Sequence, residues 1–161
     1  RNFGIKVPKT TIDLAVSYLK YCQQDDGGIC YSARSRGSSR PALSAAGIAC
    51  FYAAGVYDRE AGGTGEEGKM VDRLVKYCKQ NIRVDASSGH YFYTHLYYAQ
   101  GLYVRGGKDW EEYFPKIRDR LIETQHLDGS WMGDNVGTVY GTAIATMILQ
   151  LPYGYLPVVQ R

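Results

Sequence analysis

No apolar run in this chain approaches the ~20 residues that a membrane-crossing helix requires. Charge of one sign is equally scarce. Nineteen Lys and Arg stand against sixteen Asp and Glu, a net charge of +3. That excess is too small to argue for a nucleic-acid or membrane-surface partner. The four cysteines, Cys22, Cys30, Cys50 and Cys78, form no CxxC pair and no Cys/His cluster of zinc-finger spacing, which excludes a structural zinc site of the usual kind. Buried free thiols are the first reading for them and disulfides the alternative. Phe and Trp are few, 4 and 2, whereas there are 15 Tyr. A tyrosine has a large apolar ring and a polar tip that needs a partner, which suits half-wet cavity walls. The chain opens on Arg1 rather than Met and shows no signal peptide, so a processed product or a piece of a longer chain is expected.

What is present is repetition. One stretch runs from Tyr18 through Gln23-Gln24-Asp25-Asp26-Gly27-Gly28 to Tyr31, and a second from Arg120 through Gln125-His126-Leu127-Asp128-Gly129-Ser130 to Trp131. Between them, Leu74 to Gln80 followed by Ser88-Gly89-His90-Tyr91 is a worn copy. Helix, Gln, Gly-rich turn, helix, at a period of roughly 45 to 55 residues, signals a repeat architecture. The spacing predicts six helices. The first covers about Thr11–Cys22, with Ile12, Ala15, Val16, Leu19 and Cys22 on one face and Thr10 or Thr11 as cap. The second starts behind Pro41 and runs from Ala42 to about Ala54, rich in Ala and Gly. A mobile connection is expected at Gly62–Gly68. The third helix carries the stripe Met70, Val71, Leu74, Val75, Cys78, Ile82. The fourth, aromatic nearly all round, runs from His90 or Tyr91 to before Gly106. The fifth starts on an Asp109/Glu112 capping box with Pro115 in or near its first turn. The sixth spans about Val139–Leu151. One all-α domain, residues 1–161, results: repeats at about 9–57, 66–106 and 108–152, and a tail at 153–161. Amphipathic odd helices and small or aromatic even ones suit an outer and an inner layer.

The stretch Gln125 to Trp131 resembles the QW repeats of terpenoid cyclases, and the whole chain resembles the prenyltransferase and squalene-cyclase repeat superfamily. Gln24 to Tyr31 reads as a variant with Cys or Tyr in place of Trp. The resemblance implies an α/α toroid, here three antiparallel hairpins in a partial ring. It also implies that Gln24, Gln125 and Trp131 are structural staples. Since the family's full ring has about twice as many hairpins, upstream repeats or self-association are expected to close this one, with the chain as a C-terminal portion.

The chemistry that such a family carries is not written here. The acid motif Asp-x-Asp-Asp is absent, and Asp25-Asp26 falls in a turn where acidic residues are ordinary. The zinc-binding Asp-x-Cys is absent too. By the resemblance Thr94 stands at the family's His, and His95 lies one residue, about 100° of helix, away. No metal and no cofactor is expected. The remaining site is the mouth of the cavity, where inner helices begin: Arg36, Arg40, His90, Tyr91, Tyr93, Asp134 and Tyr140, with Asn135 and Thr138 beside the last two. Helix N-termini with two arginines suit a diphosphate or carboxylate, and the tyrosines suit an apolar tail or a carbocation. Two functions follow as expectations. One is part of a terpenoid-cyclase-like enzyme or an isoprenoid-binding protein. The other is a non-catalytic toroid module that binds a protein, peptide or glycan on its concave face.

Overall fold

The computed structural model describes residues 6–55, 65–86 and 89–155. Within them the chain is all-α: α1 (Lys9–Cys22), α2 (Pro41–Ala54), α3 (Glu66–Asn81), α4 (Tyr91–Arg105), α5 (Gly107–Glu123) and α6 (Thr138–Leu149), then a 3-10 turn at Leu151–Tyr153. Two compact units result, one ending at Ile82 and one beginning at Arg83. That boundary falls inside the second of the three expected hairpins.

In the first unit α2 packs against α1 and α3. Pro41 opens α2 at its first position, where the missing N–H costs nothing, and Gly55 closes it in the left-handed region at φ 80°. Gly47 gives the end of the Ile29 side chain room against α2. A Cβ there would strike the Ile29 side chain. α3 buries Met70, Val71, Leu74, Val75, Tyr77 and Cys78, deeper than an outer helix was expected to lie. α1 buries only Val16 and Cys22, leaving Leu14, Tyr18 and Tyr21 exposed. In the second unit α4 packs against both α5 and α6 and buries eight residues, among them Phe92, His95, Tyr98 and Leu102. Gly141 lets α6 meet the preceding loop backbone to backbone, since a Cβ there would collide with the Trp131 carbonyl and the Gly133 nitrogen.

Local expectations shift where backbone chemistry overrides pattern. α1 starts at Lys9 because the Pro8 carbonyl accepts the Thr11 and Ile12 N–H groups, and neither Thr10 nor Thr11 caps it. α5 starts at Gly107, two residues before Asp109, which instead pairs with Arg105 at 2.8 Å. Pro115 therefore sits inside α5 rather than in its first turn, depriving the Glu111 carbonyl of its helical donor. Gly65 caps α3 and Gly68 lies within it, while positions 62–64 of the expected connection and 156–161 of the tail fall outside the described residues. All four cysteines are free thiols; Cys50 is exposed rather than buried.

Two turns are copies of one another at the level of single hydrogen bonds. After α1, the Gln24 N–H donates to the Gly28 carbonyl, Gly27 N–H to Gln24, Gly28 N–H to the Asp26 carboxylate, and the Gln23 amide to the Gly27 carbonyl. After α5, His126 N–H donates to Ser130, Gly129 N–H to His126, Ser130 N–H to the Asp128 carboxylate, and the Gln125 amide to the Gly129 carbonyl. Gly27 and Gly129 share φ values of 88° and 85°. These bonds move the register by one from the sequence reading. The equivalent of Gln125 is Gln23, not Gln24, and the equivalent of Trp131 is Ile29, not Cys30 or Tyr31. Gln24 merely caps the Cys22 carbonyl at 3.2 Å. Gln23 does more, since its amide also donates to the Met70 carbonyl and accepts from Arg73, tying α1 to α3. The next residue repeats as well: Ile29 N–H donates to the Ser44 hydroxyl and Trp131 N–H to the Thr142 hydroxyl. Gln80, in the worn copy, lies inside α3, and part of the turn behind it falls outside the described residues.

Candidate functional site

Chain reversal after Trp131 shapes the site. Gly133 to Gly137 closes with Val136 N–H donating to the Gly133 carbonyl at 2.7 Å. Asp134 and Asn135 between them both adopt positive φ, 44° and 63°. Two consecutive left-handed residues define a type I′ turn, and Asp and Asn tolerate that region better than other side chains. The turn aims the Asp134 carboxylate at the first turn of α4, where it accepts the Tyr93 N–H at 3.1 Å. A helix start whose own N-cap, His90, makes no side-chain cap bond is thus capped from 41 residues away.

Beside this contact lies a cleft of about 360 Å³ within the second unit. Its floor is aromatic, from Tyr91, Phe92 and Trp131; its rim is Asp85, Arg120, His126, Asp134 and Asn135, with Met132 at the edge. The Tyr91 hydroxyl donates to the Val84 carbonyl at 2.9 Å. Burial pushes this phenol up to about 12, helped by the Asp134 and Asp85 charges and opposed by Arg120. It remains protonated at neutral pH with its hydrogen already committed. Asp85 is gripped by the Arg83 fork at 3.1 and 2.8 Å, which holds its carboxyl below the usual carboxylate range. Arg120 reaches Glu123 at 2.8 Å. Trp131 is nearly buried, and its indole N–H donates to the Leu121 carbonyl at 2.7 Å.

Beneath the floor lies a buried histidine. The His95 ring packs 4.3 Å from the Tyr91 ring, and its Nδ1 lies 2.8 Å from the Tyr113 hydroxyl. Burial pulls this imidazole down to about 4, and a hydrogen bond with the Arg83 backbone only partly offsets it. Among the described residues no group of three His, Cys, Asp or Glu is placed to hold a metal.

Of the residues expected at the mouth, Tyr91, Asp134 and Asn135 line this cleft. His90 is the exposed N-cap of α4. Tyr93 packs edge-on against Tyr97 at 4.8 Å. Tyr140 lies near Asp134, Tyr93 and Tyr97, and burial, then those charges, raise its phenol. Arg36 and Arg40 belong to the first unit. The Arg36 guanidinium donates to the Gln23 carbonyl and lies 5.1 Å from the Tyr21 ring centre. Arg40 caps α2 with its backbone. Sequence reasoning missed Asp85, Arg120 and His126. The one available signal was their position beside repeat turns, which Asp and Asn occupy for conformational reasons alone.

Replacing Asp134 by alanine should destabilise the chain by roughly 1–3 kcal/mol, through loss of the cap and a β-carbon residue without Asx chemistry at positive φ. Asp134→Asn keeps an acceptor and the conformation, and should stay within about 0.5 kcal/mol of the parent. Urea titrations of both variants check this; equal losses would remove the capping role.

Set against models of known families, curated proteins and solved structures, the chain matches none of them.

Proposed function

We propose that this chain is a helical-repeat module of the α/α-toroid type that binds its ligand without transforming it, and that the ligand is a glycan seated in the cleft of the second unit. The observation that carries this reading is an aromatic floor ringed by two carboxylates, an amide, an imidazole and a guanidinium. Sugars offer apolar ring faces and many hydroxyls, which such a floor and rim complement. The two near-identical turns support a repeat architecture, and further repeats or a second copy would complete the ring that the superfamily resemblance implies.

A diphosphate suits this cleft poorly. The α4 N-terminus, the positive dipole end that would hold it, already carries the Asp134 carboxylate, and Asp85 adds a second negative charge to the rim. Hydrolysis is disfavoured for a different reason. A glycosidase needs one carboxyl raised enough to donate a proton. Asp85 is held low by Arg83, and Asp134 is engaged with the Tyr93 N–H. The half-exposed tyrosines Tyr93, Tyr97 and Tyr140 favour the second reading, an isoprenoid or other apolar ligand.

Trp131 reports directly. In a Trp110→Phe background its emission is followed while the full chain is titrated with neutral oligosaccharides and, separately, with farnesyl diphosphate. Saturable change with an oligosaccharide is expected, weakened about tenfold by Asn135→Gly, which preserves the positive φ and removes the amide. Saturation by farnesyl diphosphate that disappears in Arg120→Ala would replace the glycan with an isoprenoid. A flat response to every oligosaccharide would end the glycan reading.

A further inference from the structure

The first copy of the repeated turn carries something the second lacks. Residues Gln23 and Ile29 form an antiparallel bridge, and the Gln24 N–H donates to the Gly28 carbonyl at 2.8 Å. One step outward along the same ladder, Cys30 N–H donates to the Cys22 carbonyl at 3.1 Å. Cys30 is thus held by this one bond beside Cys22, the last residue of α1, and the two thiols come within hydrogen-bonding reach of each other, the Cys30 thiol also reaching the Ser32 carbonyl at 3.4 Å. Thiols brought that close through a backbone bond are candidates for a disulfide. In the second copy the equivalent positions are Thr124 and Met132, and the turn closes on hydrogen bonds alone.

We infer that Cys22 and Cys30 form a redox-active dithiol, oxidised to an intramolecular disulfide by low-molecular-weight disulfides of the glutathione class. Either thiolate attacks the small disulfide, releasing one thiol and leaving a mixed disulfide on the protein. The opposite thiolate then attacks the protein-bound sulfur and releases the second small thiol. The protein loses two electrons and two protons, and the oxidant is reduced to two thiols.

The thiols are covered but not deep. Both residues are 1% exposed, yet what lies around them is surface. Tyr18 and Tyr31 are exposed by 52% and 79%. The Tyr18 hydroxyl accepts the Ala33 N–H at 3.4 Å, and Arg36 is exposed. Burial raises the Cys22 thiol, the Tyr18 hydroxyl and Arg36 work against it, and the neighbouring Cys30 raises it further. Little has to move to admit a small disulfide, because α1 itself buries only Val16 and Cys22. Cys78, by contrast, sits in the core and is raised strongly by burial. Once formed, the bond would fasten the end of α1 to its own turn. That end carries Gln23, which holds the Met70 carbonyl and the Arg73 side chain of α3. Oxidation therefore tightens the anchoring of α1.

The test uses the full reduced chain, equilibrated in glutathione buffers of graded ratio, acid-quenched, alkylated and digested with trypsin. Residues 21–34 form one tryptic peptide holding both cysteines, with no Lys or Arg before its final Arg34. In reducing buffer it should carry two alkyl groups; as the buffer becomes oxidising it should carry none and lie about 2 Da below the free dithiol, while Cys50 and Cys78 are alkylated or form only mixed disulfides. The oxidised chain should melt roughly 5 °C higher than the reduced one. Repeating the equilibration in 8 M urea separates a pair set up by the fold from one joined by sequence proximity. Oxidation should require a buffer at least about tenfold more oxidising in urea than in its absence. Equal or easier closure in urea would overturn the inference, as would mixed disulfides on the 21–34 peptide without closure. The Cys50→Ser variant should oxidise as the parent does, and Cys30→Ser should never give the closed peptide without alkyl groups.

Discussion

Replacing Trp131 by alanine is expected to destabilise the protein by about 3–5 kcal/mol, the range for emptying an aromatic core site. The indole is 5% exposed, and Gly133 and Gly141 bring the surrounding backbones so close that the site has little room to collapse. Trp131→Phe separates the two contributions of this side chain. It keeps most of the apolar volume and removes the 2.7 Å donor to the Leu121 carbonyl, leaving that acceptor only the long 3.4 Å bond from the Thr124 hydroxyl, at a cost of about 0.5–1.5 kcal/mol. Urea unfolding followed by far-UV circular dichroism measures both variants. A phenylalanine variant as stable as the parent would reduce the indole to a filler. An alanine variant within 1 kcal/mol or so of the parent would remove the residue from the core altogether. Ile29→Ala, in the equivalent slot of the first unit, should cost about 2–5 kcal/mol.

Acid should weaken the fold well above the range in which carboxylates titrate, because of His95. Its folded value, about 4, lies below the ordinary 6.5. As pH falls through 6.5 the unfolded chain takes up a proton that the folded chain refuses until about pH 4. The unfolded state binds more protons in that window, so stability rises with pH and is lost on acidification. The full loss from this one group is roughly 3 kcal/mol, complete near pH 4. Asp85 and Asp128, held below their usual range by Arg83 and by the Ser130 turn, lose their contributions only below the ordinary Asp value, outside most of this window. Urea midpoints at intervals between pH 7.5 and 4.5 read the effect. His95→Gln should start less stable at pH 7.5, having disturbed the Tyr113 bond, and then stay nearly flat. A parent midpoint unchanged from pH 7 to 4.5 would mean that His95 takes up its proton in the folded core.

The residues that were read correctly from sequence are those governed by near neighbours. The boundaries of α2 follow from Pro41 and Gly55, and the end of α4 from Gly106, because Pro and Gly act within one turn of the backbone. Where a boundary was missed the competing signal was also local but weaker. Pro8 outcompeted the two threonines at the start of α1, and Gly107 began α5 early, carrying Pro115 into its interior. The turn register was one residue off because Gln23-Gln24 offers two glutamines at the helix end. The Gln23 bond to the Gly27 carbonyl, matched by Gln125 and Gly129, and its bond to Met70, 47 residues away, select the first of them.

The candidate site was half legible for the same reason. Tyr91 and Asp134 were picked out as residues flanking helix starts, and both line the cleft. Asp85 and Arg120 were not, since nothing within ten residues of either distinguishes it from an ordinary exposed charge. By itself the sequence determined an all-helical chain with a repeated turn, since helical period, proline and glycine act over a few residues. Tertiary structure alone decided which glutamine ties α1 to α3 and that a carboxylate from the loop before α6 caps α4. Each of those depends on which distant backbone atom lies within about 3 Å, a distance that no local propensity encodes.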